Sequence, residues 1–121
     1  MIIRMDNKSE HFYAYLGKLF GSRSVESFTR DRIYDDSHKE WYVYCDKDKP
    51  SAFVSVSGNK IKNVYSDHKK FLVAVLKEVK AEKEIGASIV TKVFLDQYKE
   101  AGFMVRPHSA NFVEIRGVEH V

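Results

Sequence analysis

The sequence has 121 residues, 44% of them hydrophobic and 31% charged, which suits one domain with one core and argues against a disordered chain. Its net charge of +3 is too mild to indicate a nucleic-acid partner by itself. The one cysteine, Cys45, excludes an internal disulfide and a cysteine metal cluster, and no run approaches the roughly 20 apolar residues of a membrane span.

A chain of this kind is expected in a reducing cytoplasm. The start, Met1 to Asp6, lacks the long apolar region of a secretory signal. Met1 to Met5 reads as a short strand. Asn7 with Glu10 three residues on reads as a capping box, and Phe12, Tyr15, Leu16, Leu19 and Phe20 then follow helical spacing up to Gly21. Ser24 to Arg32 is expected to form a second short helix with Val25 and Phe28 on its apolar side.

From Glu40 the period changes to two. Trp41, Val43 and Cys45 alternate with Tyr42, Tyr44 and Asp46, as in a half-buried strand. Ala52, Val54 and Val56 resume the alternation after a polar turn ending at Pro50. Ile61 to Tyr65 completes an antiparallel meander after Ser57-Gly58-Asn59-Lys60. Ser66-Asp67 offers an N-cap for a helix that places Phe71, Leu72, Val75, Leu76 and Val79 on one face. Ala87 to Val90 is a short β-branched strand, and Thr91 is placed to cap a helix over Lys92 to Glu100. Gly102 suits the position just past a helix end. Phe103 to Arg106 and Asn111 to Arg116 form a last hairpin across Pro107-His108-Ser109-Ala110. The core is expected at Leu16, Leu19, Trp41, Val43, Val54, Leu72, Val75, Leu76 and Phe103, which hold the apolar phase of their elements.

Few residues mark a reaction. The five histidines are dispersed, and none pairs with another at a helical ligand spacing, so no metal site is expected. Cys45, on an alternating strand beside Val43, reads as a small core residue and not as a nucleophile. The carboxylates Asp35, Asp36 and Glu40 precede the meander, whose polar or aromatic positions include Tyr42, Tyr44, Asn63 and Tyr65; none is marked as a general base. Lys69 and Lys70 lie in the first turn of the central helix, where the macrodipole disfavours cations by about 0.3–1 kcal/mol each. An anion bound there would remove the conflict, with His68 beside it; solvation of exposed lysines is the alternative. Tyr98 reads on spacing alone as an aromatic packed on an amphipathic helix.

The order of elements is strand, two helices, three antiparallel strands, helix, strand, helix, two strands. Over nearly the whole chain this resembles the GCN5-related N-acetyltransferase (GNAT) superfamily. The stretch Gln97-Tyr98-Lys99-Glu100-Ala101-Gly102-Phe103 is similar to the Tyr-x-x-x-Gly-Phe ending of that family's last helix. The resemblance implies one α+β (α/β) GNAT-like domain over residues 1–121, with a mixed, largely antiparallel central sheet flanked by helices. It implies transfer of acetyl from acetyl-coenzyme A to an amine on a small molecule or a protein. It further implies that Tyr98 protonates the departing thiolate, since a phenol keeps its proton at neutral pH. Cofactor binding then falls on Val64, Tyr65, Ser66, His68, Lys69 and Lys70, with the phosphates at the lysines and the amides after Ser66. The stretch departs from the family's Gln/Arg-x-x-Gly-x-Gly/Ala loop in holding no glycine. A GNAT-shaped binding or regulatory protein that has lost the cofactor loop, of a kind phages or mobile elements would carry, is the other reading. Nucleic-acid binding through lysines and exposed tyrosines is a third.

Overall fold

The computed structural model describes residues 2–6, 23–30, 39–46 and 49–117. The expected helix over residues 7–21, with Leu16 and Leu19, lies outside these residues, as do Asp35 and Asp36. The described elements are β1 (Ile2–Met5), α1 (Arg23–Thr29), β2 (Lys39–Asp46), β3 (Lys49–Ser57), β4 (Lys60–Ser66), α2 (Lys69–Glu82), β5 (Ser88–Thr91), a 3₁₀ turn (Lys92–Phe94), α3 (Leu95–Glu100), β6 (Met104–Pro107) and β7 (Phe112–Arg116).

β1 to β4 form an antiparallel sheet in that order, and β5, β7 and β6 form a second antiparallel sheet with β7 in the middle. The expected meander is therefore present. Its alternation sorts residues to two covered faces instead of one covered and one wet face. Tyr42, Ala52, Val54 and Val64 turn to the face where α2 packs with Leu72, Val75, Leu76 and Val79. Trp41, Val43 and Phe53 turn to the other, with Met5 and with Val25 of α1. Both faces exclude water, so Trp41, Tyr42 and Val43 are all fully buried in succession. Phe28 departs from expectation. It tilts its ring against Phe94 at 5.9 Å but stays 49% exposed.

A buried polar network lies beneath Trp41. Lys39 Nζ and Ser55 Oγ each donate to Asn63 Oδ1 at 2.9 Å, and Asn63 N–H donates back to Ser55 Oγ. The register sets Trp41 opposite Ser55 and Ser55 opposite Asn63, so all three share one face. Asn63 is thereby a structural group within the sheet.

The second sheet is tied to α2 through the end of α3. Gly102 has φ of +95°, a conformation that costs little only without a Cβ, and a Cβ there would lie 2.8 Å from Lys80 Nζ. The Gly102 N–H donates to Lys99 O and the Phe103 N–H to Tyr98 O, both at 3.0 Å, which closes the helix with a Schellman motif. Lys80 Nζ then donates to Gly102 O at 2.9 Å. No helix among the described residues is long and apolar enough to cross a membrane.

Candidate functional site

The two sheets meet edge to edge at β4 and β5. At their starts the strands are joined: the Gly86 N–H donates to Asn59 O at 2.8 Å, and the Ile61 N–H donates to Ser88 Oγ at 2.9 Å. They form no ladder beyond that point. Val64 and Tyr65 therefore lie on an edge strand whose second side is not paired to β5. Tyr65 is half-buried, stacked on Phe53 at 5.6 Å. Burial, reinforced by the Asp67 carboxylate, raises its phenol above the ordinary tyrosine range.

β4 leads into α2 through Asp67 and His68. The expected cap at Ser66-Asp67 gives way to His68, which makes no side-chain capping bond. The reason lies in the sheet. Ser66 still belongs to β4, and the Asp67 N–H donates to Ser51 O at 3.0 Å, so the helix begins later. Ser66 Oγ accepts from the His68 N–H at 2.9 Å, and the Phe71 N–H turns to His68 O at 3.0 Å. The amides of Lys69 and Lys70 have no partner among the described residues, and both side chains are exposed. The first turn holds no acidic residue.

Aromatic rings cover one side of this turn. Tyr44 stacks on Phe71 at 4.2 Å and 8°, and His68 stacks on the same ring at 4.4 Å. This column occupies the flank of a turn with no glycine. Phosphate groups fit here in a reduced form: two amides, two ammonium groups and an uncapped helix start are available, while the amides of Asp67 and His68 are already bonded.

Tyr98 sits at the far end of β5. It is fully buried, and its hydroxyl donates to Thr91 O at 2.7 Å. Thr91 is a buried node. Its Oγ1 donates to Thr29 O at the end of α1 and accepts from the Val93 N–H, which starts the 3₁₀ turn. That turn replaces the first part of the α-helix expected from Lys92. Sequence reasoning placed Thr91 as a cap but missed its bond to α1, which joins residues 62 apart and leaves no local pattern.

The remaining candidates lie apart from the β4–β5 edge and the start of α2, or inside the sheet. Glu40 Oε2 stands 3.5 Å from Lys83 Nζ and 3.9 Å from an Arg4 nitrogen, in a surface ion cluster with Glu82. Tyr42 is fully buried, and burial, with the Glu82 charge second, raises its phenol. The described tyrosines are buried or half-buried, so the exposed tyrosines expected for nucleic-acid stacking are not found among them. Cys45 is half-buried on the Trp41 face.

No protein-family model matches the sequence, and no curated protein matches it. A solved structure does match: the Campylobacter jejuni N-acetyltransferase PseH in complex with acetyl coenzyme A. The TM-score is 0.52 at 9% sequence identity, and the match covers 95% of this chain and 96% of that one. The mixed α+β architecture expected from the sequence is therefore present, and the chain shares the fold of that N-acetyltransferase.

Proposed function

We propose that the chain is an acetyl-coenzyme A-dependent N-acetyltransferase acting on an amine of a small molecule or a protein. One observation carries the reading: the fold match to an acetyl-coenzyme A complex runs over 95% of the chain. The unpaired edge between β4 and β5 and the uncapped, doubly basic start of α2 support it. In this reading Lys69, Lys70 and their amides hold the phosphates, with His68 beside them. Val64, Tyr65 and Ser66 border the rest of the cofactor. The bound cofactor supplies an activated thioester. Tyr98 acts as the acid only by releasing Thr91 O, because its proton is committed there.

A second reading, a GNAT-fold binding or regulatory protein without turnover, is favoured by that same bond and by the glycine-free turn. One experiment separates the two. Acetyl-coenzyme A at 100 times its dissociation constant should stabilise the protein by about 2.7 kcal/mol on heating. Release of free thiol with an amine panel then reports turnover. Stabilisation with turnover supports the enzyme, stabilisation without turnover the binding protein. No shift at millimolar cofactor refutes the enzyme.

A further inference from the structure

A groove of about 540 Å³ lies where the end of α1, the 3₁₀ turn and the β6–β7 connection converge, within the usual range for small-molecule sites. Its walls include Ser27, Phe28, Arg30, Lys92, Val93 and Asn111. The three segments are fixed to one another from below. Thr91 Oγ1 donates to Thr29 O, and the Lys92 N–H donates to Asn111 O at 2.9 Å. Thr29 and Thr91 are both fully buried, and the residues that follow them are Arg30 and Lys92. Two cations thus leave directly from a bonded, buried pair.

Arg30 has φ of 60°, in the left-handed region that favours glycine. An arginine holds this position although glycine would relieve the backbone, and such outliers concentrate at binding sites. Phe28 offers a ring that is 49% exposed, Val93 is half-buried, and Ser27 and Asn111 supply neutral polar groups. No carboxylate lines the groove among the described residues.

We propose that this groove binds a small organic anion, with its carboxylate or phosphate at Arg30 and Lys92 and an aromatic or apolar body against Phe28 and Val93. Arginine beside lysine suits either oxyanion. The assignment of this anion to the amine acceptor rests on the acetyltransferase reading; the binding itself rests on the groove.

The test therefore uses no coenzyme A. Phenyl phosphate, benzoate, phenol and benzylamine are titrated into the ¹⁵N-labelled protein. Phenyl phosphate, benzoate or both should shift the Lys92, Val93 and Asn111 amides to saturation, while phenol and benzylamine should not. A response to one anion alone identifies the oxyanion as phosphate or carboxylate. Lys92→Ala should weaken binding about tenfold, as loss of one charge-assisted contact does, and Lys92→Arg should restore it. Arg30→Gly should weaken binding while raising the melting temperature, since it removes the charge and the strained φ together. Neither anion binding, equal response to benzylamine, shifts centred elsewhere, or both charge-removing variants binding as the wild type would overturn the proposal. Anion binding with no effect of acetyl-coenzyme A on the protein would leave the groove standing and the acetyltransferase reading refuted.

Discussion

β4 and β5 begin side by side and end in opposite conditions. β4 runs out into Asp67, His68, Lys69 and Lys70, all exposed, at a helix start with unmet amides. β5 runs into Thr91, whose hydroxyl and carbonyl are both hydrogen-bonded inside the protein. A ligand can reach the amides and ammonium groups of Lys69 and Lys70 at little cost, because only water competes for them. Changing the second means breaking buried bonds. The end of β4 is therefore soft and the end of β5 rigid; in the reading proposed above these are the phosphate end and the proton-transfer end.

The largest expected effect tests whether the two ends share one support. Leu76 is fully buried on α2, in the cluster that includes Val64 of β4 and Val90 of β5. Leu76→Ala should cost about 2–5 kcal/mol in chemical denaturation, the usual range for a packed core leucine. If the support is common, Tyr98 and Lys69 resonances should both broaden in the variant. A loss below about half a kcal/mol would mean that the helix face is misassigned.

A smaller effect probes the rigid end alone. Thr91→Val keeps the shape and deletes the hydroxyl, leaving the buried Thr29 O without that donor; Tyr98→Phe deletes the donor to Thr91 O. Each should cost about 1–3 kcal/mol. Because both bonds pass through Thr91, a double-mutant cycle should show coupling of about 0.5 kcal/mol or more. Additive losses would separate the two bonds. If the protein turns over, Tyr98→Phe also decides the acid: a fall of roughly 10²–10⁴-fold in turnover, measured at a temperature where the variant remains folded, marks general acid catalysis. Unchanged turnover with a lower melting temperature marks a strut.

These two regions were not equally legible in the sequence. The soft end was visible because local signals define it: a period of two stops at Tyr65, a helical period starts by Phe71, and two lysines fall between them. The rigid end was visible only in part. Tyr98 four residues before Gly102, and Thr91 ahead of a helix, are short-range patterns, and the structure has both the Schellman ending and the Val93 bond. The bond from Thr91 to Thr29 spans 62 positions, and no spacing rule reaches that far. Burial on both faces of β2 was hidden for a similar reason. Alternation sorts residues to two sides but does not say whether a helix covers each, so Tyr42 looked like a polar-face aromatic and is fully buried. The start of α2 shows the limit of propensity: Ser66 is a good N-cap residue, but it remains within β4.

The smallest effect is the most diagnostic, because its sign should reverse between free and bound protein. Lys69 and Lys70 occupy the first turn of α2, with no carboxylate beside them in that turn. Replacing both with Gln removes two positive charges from the positive end of the helix dipole. The free protein should therefore gain about 0.3–1 kcal/mol per residue at low ionic strength. The gain should shrink toward zero as salt is raised, because exposed charges are screened. With acetyl-coenzyme A present the order should invert. The wild type would gain stability from the bound phosphates, and the double variant would gain less, losing its advantage as ligand is added. Crossing melting curves would assign these lysines to anion binding. Parallel curves, in which the variant keeps its advantage at every ligand concentration, would make them solvated surface groups. The exposed end of β4 would then be soft for no ligand's sake, and the comparison with Thr91 would describe only how the two strands stop.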